Sequence, residues 1–168
     1  MEAINLRRSV RKYLNKKLDP QEIESILQAA MQAPSAKNQQ PWHFLVVQDP
    51  QKIKDYVKKS ARNEFLELAP CLVIFLTDKD NLKTAMMYPQ DISAAIENAM
   101  LRAVSLKIGS CWCGVYPNIE RMSSVIECFA IPSRYEPFAV ISFGYPSEEE
   151  AFKFIDRFDG TRIHYEKI

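Results

Sequence analysis

A cluster of basic residues lies near the start of the chain. Arg7, Arg8 and Arg11 surround Ser9, and six basic residues with no acidic residue among them fall between positions 7 and 17. Guanidinium groups present planar, paired donors that suit a phosphate or a carboxylate, and a hydroxyl group adds one more donor. This basic segment, residues 7–17, therefore predicts an anion site. The residues alone leave open the commoner alternative, a solvated charged run.

A second candidate is the polar segment 34–42, which is bracketed by prolines and ends in a tryptophan. Its side chains follow neither a helical nor a strand period. Amide side chains such as Asn38 place a donor beside an acceptor, an arrangement that recognises flat heterocycles. A loop that caps neighbouring elements, with Trp42 in the core, explains the same residues equally well.

The third candidate is Gly109–Gly114, with Cys111, Trp112 and Cys113 between the two glycines. Glycine lets a backbone approach another group closely. A reactive cysteine needs an activating neighbour, and neither histidine is spaced to serve Cys113, so a buried thiol is the favoured interpretation. Glycine-rich phosphate motifs and metal-ligand spacings do not occur in the sequence, and we expect no metal.

The composition narrows the class of protein. With 168 residues, we expect a single domain spanning 1–168. Its 22 basic and 21 acidic residues give a formal net charge of +1, so no nucleic-acid partner is indicated. The longest apolar run, Cys71–Leu76, is too short to cross a membrane, and the N-terminus has no signal-peptide core. We therefore expect a cytoplasmic protein with no membrane contact.

Periodicity predicts about four strands interleaved with five helices, an α+β fold. Asp19, Pro20 and Glu22 form a helix-start signal, and Cys71–Thr77 is predicted to be a central strand covered on both faces. The longest helical pattern runs from Pro89 to Lys107, and we expect Gly109 to end it. The residues from Ser147 to Ile168 have weak periodicity and predict an extended C-terminal arm.

Taken in order, these motifs resemble one family. The resemblance rests on Arg7-Arg8-Ser9-x-Arg11-x-Tyr13, on Ala33-Pro34-Ser35-x-x-Asn38-x-Gln40-Pro41-Trp42, on the helix containing Gln90-Asp91 that runs into Gly109-Ser-Cys-Trp112, and on Phe143-Gly144-Tyr145-Pro146. Together they are similar to the nitroreductase family of FMN-dependent NAD(P)H oxidoreductases, in a short form. The resemblance spans nearly the whole chain, and four weak motifs in the right order make a specific signal.

The resemblance implies an α/β sandwich whose central, mostly antiparallel sheet is flanked by helices. It implies a homodimer with FMN at the interface. Arg7 and Ser9 would bind the FMN phosphate, Arg8 would lie along the flavin and ribityl chain, and Arg11 would reach the pyrimidine edge. The remaining contacts implied are Pro34, Ser35, Ala36 and Asn38 from the other subunit, Cys111, Trp112, Cys113 and Gly114 beside the ring, and Arg162 and His164 on the phosphate.

The activity implied is a ping-pong transfer of hydride. NADH or NADPH reduces the flavin at N5 and leaves, and a flat, electron-poor small molecule such as a nitroaromatic or a quinone then takes the electrons. Such chemistry belongs to the flavin, so no catalytic side chain is expected. A flavin-binding carrier or sensor with little turnover is the alternative, because it would keep the same FMN contacts.

Overall fold

A computed structural model describes residues 2–148 and 151–168. Within these residues the chain forms one four-stranded sheet and five α-helices. The helices are α1 Glu2–Leu6, α2 Pro20–Met31, α3 Pro50–Ser60, α4 Tyr88–Ser105 and α5 Ile119–Phe129. The strands are β1 Trp42–Val47, β2 Cys71–Asp78, β3 Gly109–Gly114 and β4 Tyr135–Gly144. The prediction of an α+β fold is confirmed.

All strand pairs in this sheet are antiparallel, in the order β1-β2-β4-β3. Every residue of β2 is buried, as its continuous apolar run predicts. A strand that is apolar throughout is typical of parallel sheets with both faces covered. Here the same burial is reached in an antiparallel sheet, because helices cover both of its faces.

Four of the five helices pack in two pairs, one pair on each side of the sheet, and α1 packs against α4. Helices α2 and α4 pack against each other over one core, which contains Phe75 and Phe143, and α3 and α5 pack together over the other, which contains Ile74 and Val140. Helix α2 begins with the predicted capping box: the Asp19 carboxylate accepts from Gln21 N–H, and Glu22 accepts from Asp19 N–H at 2.8 Å. The layers therefore form the expected sandwich.

One boundary differs from the prediction. Helix α4 ends at Ser105, and the residue that takes the left-handed conformation after it is Lys107, with φ 62°. Gly109 is the first residue of β3 and does not cap the helix. A Cβ atom on Gly109 would lie 2.7 Å from Val10 Cβ, so this glycine instead permits close packing between β3 and the basic segment.

The basic segment is attached to the edge of the sheet. Ser9 forms a parallel bridge with Ser110, and Val10 N–H donates to the Ser110 carbonyl oxygen at 2.9 Å. The buried Tyr13 hydroxyl group donates to the Val10 carbonyl oxygen at 2.6 Å and lies 2.8 Å from Ser142 Oγ. These contacts fix the path of the arginines along β3.

The C-terminal arm, 151–168, is largely exposed and contains only one short 3-10 turn, Gly160–Arg162, among its secondary-structure elements. The prediction of an extended arm is confirmed for these residues, whereas positions 149 and 150, which fall in the predicted arm, lie outside the described residues. Of the helices in the described residues, none combines the length and the apolar character needed to span a membrane.

Replacing Gly109 by alanine should destabilise the protein. The added methyl group meets three carbon atoms of Val10 at 2.7–2.8 Å, so the basic segment has to move or the core has to distort. We expect a loss of about 1–3 kcal/mol in the free energy of unfolding, measured by urea denaturation. Gly114→Ala is the matched control, because nothing lies within 4 Å of the position that its Cβ atom would take. Equal losses in the two variants would contradict the close-packing role of Gly109.

Candidate functional site

The structure brings the first and third candidate segments together. The Ser9–Ser110 bridge places the basic segment alongside β3, whose next residues are Cys111–Gly114. Side chains from both segments interact: the Arg11 charge and the Ser9 hydroxyl group both lower the pKa of the Cys111 thiol. The guanidinium carbon of Arg11 also lies 5.7 Å from the centre of the Phe65 ring. One edge of the sheet thus combines cationic side chains with the predicted ring-binding strand.

Positive charge is crowded around Arg8. Its guanidinium group donates to the carbonyl oxygens of Arg7 and Asn5, while its Nε atom is buried without a hydrogen-bond partner. Burial and the charges of Arg157 and Arg7 lower the pKa of Arg8. Arg7 has an acidic neighbour, with Nε 3.3 Å from Glu97 Oε1. The cluster formed by Arg7, Arg8 and Arg157, called here the arginine cluster, offers donors to an anion.

A surface cavity of about 450 Å³ lies beside β3. Three of its lining residues are Trp112, Cys113 and Gly114, which were predicted from the sequence as ring contacts. The cavity falls within the volume range of small-molecule sites, about 300–1,000 Å³. Its remaining walls come from α3, α5 and the segments beside them, with basic side chains Lys59, Arg62 and Arg121 among them.

Arg121 links this cavity to the strand. One of its terminal nitrogens donates to the Gly114 carbonyl oxygen at 3.0 Å, and its Nε atom is buried without a hydrogen-bond partner. Gly114 itself is exposed. Buried donors without partners are uncommon in folded proteins and are often satisfied by a bound group. The cavity and the arginine cluster each contain one such arginine nitrogen.

The two thiols of β3 influence each other. A hydrogen bond from Cys113, then the charge of Arg11 and the Ser9 hydroxyl group, lower the pKa of Cys111 to about 7, and burial opposes them. The same thiol–thiol contact, together with burial, raises the pKa of Cys113. Both cysteines are buried, which the sequence predicted for Cys113. Cys111, however, has the activating neighbours that the sequence did not reveal.

The polar loop is held by a different helix. The buried carboxylate of Asp91, in the first turn of α4, accepts from Ala36 N–H at 2.9 Å and from Gln39 Nε2 at 2.6 Å. Lys37 and Asn38 both have φ 50°, in the left-handed region that non-glycine residues seldom adopt. A strained loop persists when surrounding contacts determine it, and the Asp91 contacts do so here.

Within one chain the loop and the basic segment hold different parts of α4. Asp91 binds the loop, whereas Glu97 pairs with Arg7, and residues six apart do not share a helix face. Pro34 and Asn38 are exposed, Ser35 and Ala36 are partly buried, and Trp42 is buried in the core. The core position of Trp42 is the one that the capping interpretation of this loop predicted.

The arm residues chosen from the sequence are exposed. Arg162 pairs locally with Asp159, at 2.9 Å between Nε and Oδ2, and His164 lies in the exposed end of the arm. The arm residue whose charge acts on Arg8 is Arg157. Sequence reasoning missed Arg157, Asp91, Arg62 and Arg121. Only the Gln90-Asp91 motif carried a signal for one of them.

Comparison with known proteins identifies the fold and the family. The chain belongs to the nitroreductase family, whose model matches residues 4–81 and 58–145. An Archaeoglobus fulgidus protein named "Putative NADH dehydrogenase/NAD(P)H nitroreductase" is 43% identical over 169 residues, which cover 99% of this chain and 97% of that protein.

Two solved structures resemble the chain along its length. The "Putative NADH Oxidase" of Clostridium acetobutylicum matches with a TM-score of 0.94 and 46% identity, covering 99% of each chain. The "FMN-dependent Nitroreductase" of Clostridium difficile matches with a TM-score of 0.87 and 29% identity, again covering 99% of each chain. The resemblance inferred from the motifs is therefore confirmed.

Removing the Asp91 carboxylate should loosen the polar loop. In Asp91→Ala the Ala36 amide and the Gln39 side chain lose their acceptor, which costs about 1–3 kcal/mol for a buried group. We expect exchange of the Ala36 amide hydrogen to accelerate by about tenfold or more, measured by NMR. Ser35→Ala removes a separate bond to Gln40 N–H and serves as the control. Unchanged exchange in Asp91→Ala would show that Asp91 does not hold the loop.

Proposed function

We propose that this chain is an FMN-dependent NAD(P)H oxidoreductase that reduces a flat, electron-poor small molecule by a ping-pong reaction, and that residues 1–168 form one FMN-binding domain. Membership of the nitroreductase family supports this proposal. So do a relative named for NAD(P)H nitroreductase activity and a similar structure named as an FMN-dependent nitroreductase.

The observation that carries the proposal is the arginine cluster with its unsatisfied donor. Three guanidinium groups lie close enough for two of them to lower the pKa of the third, and Arg8 Nε is buried without a partner. A phosphate monoester supplies two negative charges and several acceptor oxygens. The donor set therefore fits the phosphate end of FMN, and the cavity beside Gly114 has room for part of a flat ring.

The proposed contacts follow the two segments joined at Ser110. Arg7 and Ser9 would bind the phosphate, Arg8 would lie along the ribityl chain and flavin, and Arg11 would reach the pyrimidine edge. The ring would lie beside Cys111, Trp112, Cys113 and Gly114. We add Arg157 to the phosphate contacts, and keep Arg162 and His164 as further candidates from the arm.

When bound, FMN takes two electrons from NADH or NADPH and passes them to the acceptor. The chain's own residues bind and orient the ring and set the potential around it. A positive charge placed where negative charge develops stabilises the reduced state, and Arg11 is proposed to supply that charge at the pyrimidine edge. No side-chain acid or base is assigned to this chemistry.

We propose that the active form is a homodimer with FMN at the interface. The polar loop would reach the flavin of the other subunit through Pro34, Ser35, Ala36 and Asn38. Within one chain, the contact with Asp91 holds this loop at a different part of α4 from the basic segment. Large apolar side chains exposed on the arm support this proposal, because such side chains are typical of association surfaces; these are Phe154, Ile155, Phe158, Ile163 and Tyr165. A two-fold interface would create two equal sites.

A cytoplasmic location is part of the same proposal. All four cysteines are free thiols, which fits a reducing compartment.

Oxidation of NADH and NADPH distinguishes an enzyme from a flavin carrier. We expect the FMN-loaded protein to oxidise at least one of the two nucleotides with many turnovers when menadione is present as acceptor, followed at the nucleotide absorbance band. Fewer than one turnover per flavin with quinone and nitroaromatic acceptors would favour the carrier or sensor.

Arg8→Ala should weaken FMN binding. Losing one charge-assisted contact to the ribityl chain and flavin costs about 1.5–3 kcal/mol, so the dissociation constant should rise by about tenfold or more. Quenching of flavin fluorescence on titration measures it. Arg102→Ala is the matched control, because Arg102 is an exposed arginine of α4 bonded to Ser25 and Ser105. Equal affinities for Arg8→Ala and Arg102→Ala would remove Arg8 from the site.

A further inference from the structure

Two cysteines lie on one face of β3. Residues two apart in a strand point to the same side, and Cys111 and Cys113 face the same core, where they pair in register with Ser142 and Val140 of β4. The two thiols are close enough for each to shift the pKa of the other, and both are free. The rise of a strand places their Cα atoms about 6.6 Å apart, at the upper end of the range that a disulfide can span, about 4.4–6.8 Å, and the strand has to bend locally to bring the two Cβ atoms within the reach of the bridge.

The surroundings of this thiol pair favour an anionic sulfur. The charge of Arg11 and the nearby Ser9 hydroxyl group lower the pKa of Cys111, and the charge of Arg11 also acts to lower the pKa of Cys113. The phenol groups of Tyr13 and Tyr56 also lie within electrostatic range of the pair. Cys71, by contrast, is fully buried in an apolar core, and burial raises its pKa to about 12.

A small molecule can approach the pair from one side. Cys113 lines the 450 Å³ cavity, whose walls include Lys59, Arg62 and Arg121. Glu120 also lines the cavity, and Lys59 is paired with Glu127. Arg62 and Arg121 therefore supply the excess positive charge of its walls. The pair therefore combines a thiolate-stabilising environment at Cys111, a second thiol on the same face of the strand and a route from solvent that reaches Cys113, which are features of oxidation-sensitive cysteines.

We propose that Cys111 and Cys113 form a redox-active pair that a peroxide converts to an intramolecular disulfide. The Cys111 thiolate attacks one oxygen of hydrogen peroxide, the O–O bond breaks and hydroxide leaves, giving a sulfenic acid. The Cys113 sulfur then attacks the Cys111 sulfur, the S–O bond breaks, and the departing oxygen leaves as water with the Cys113 proton. Two thiols lose two electrons, and one peroxide becomes two waters.

This disulfide should be readily reversed. A bridge between cysteines two apart in a strand lies at the limit of unstrained geometry, and strained disulfides are the more easily reduced ones. A small dithiol would restore both cysteines by thiol–disulfide exchange. The bridge would tighten β3 next to Gly114, so it would act on the strand proposed to lie along the flavin. Its formation does not require bound FMN, and the proposal is therefore independent of the proposed function.

Peptide masses after peroxide treatment test the proposal. Trypsin separates the pair from the other two cysteines. Cleavage after Lys107 and Arg121 releases residues 108–121, which contain both members of the pair, whereas Cys71 and Cys128 fall in other peptides. The folded protein is treated with a slight excess of hydrogen peroxide, denatured and alkylated. After oxidation we expect the 108–121 peptide to carry no alkyl group, because both thiols are in the disulfide. Its mass should be about 2 Da below that of the reduced, unalkylated peptide. Dithiothreitol should restore both alkyl groups.

Variants identify the role of each sulfur. In Cys113→Ser the reaction should stop at a Cys111 sulfenic acid that dimedone captures, and in Cys111→Ser no disulfide should form. Cys128→Ser, on α5, is the matched control and should form the disulfide as the wild type does. Retention of both alkyl groups on the 108–121 peptide, a first disulfide involving Cys71 or Cys128, or further oxidation of Cys111 without a bridge would each overturn the proposal. All of these readouts apply with or without FMN.

Discussion

The backbone pairing of Ser9 and Val10 with Ser110 joins the basic segment to the edge of the sheet. Without it, the arginines would be a solvated run at the start of the chain, which is the usual fate of such a cluster. Two features make the pairing possible. Gly109 has no side chain where Val10 packs, and the Tyr13 hydroxyl group holds the Val10 carbonyl oxygen from inside the core.

Once the basic segment is attached to the sheet, its positive charges are held in place at the candidate site. Arg8 cannot turn its whole guanidinium group to water, because Nε is buried, and Arg7 and Arg157 add positive charge around it. A cluster of this kind is stabilised by binding an anion. The same attachment brings Arg11 to the thiols of β3, so one structural contact supports both the proposed flavin site and the proposed redox pair.

Local signals made much of the fold predictable. The Asp19 capping box and the apolar run of β2 each depend on adjacent residues, and both appear as expected. The end of α4 was mispredicted because Lys107, a residue without glycine's freedom, takes the left-handed conformation, and tertiary contacts use Gly109 elsewhere.

Long-range contacts are the part of the candidate site that could not be predicted from the sequence. The family motifs pointed to the basic segment and β3, and the structure places these two together. Asp91 binds the polar loop at Ala36, 55 positions away in the sequence. Arg157 acts on Arg8 from about 150 positions away. Neither spacing has a periodicity that a single sequence reveals, and whether Arg162 and His164 reach the phosphate stays a prediction.

The most direct test of a flavin site built on the arginine cluster is the visible absorbance of the purified protein, read before and after adding NADH or NADPH without oxygen. The account predicts a flavin spectrum, present on purification or restored by added FMN, that bleaches with one of the nucleotides. A protein that is colourless and fails to take up added FMN would contradict the account and leave only an anion-binding surface on this fold.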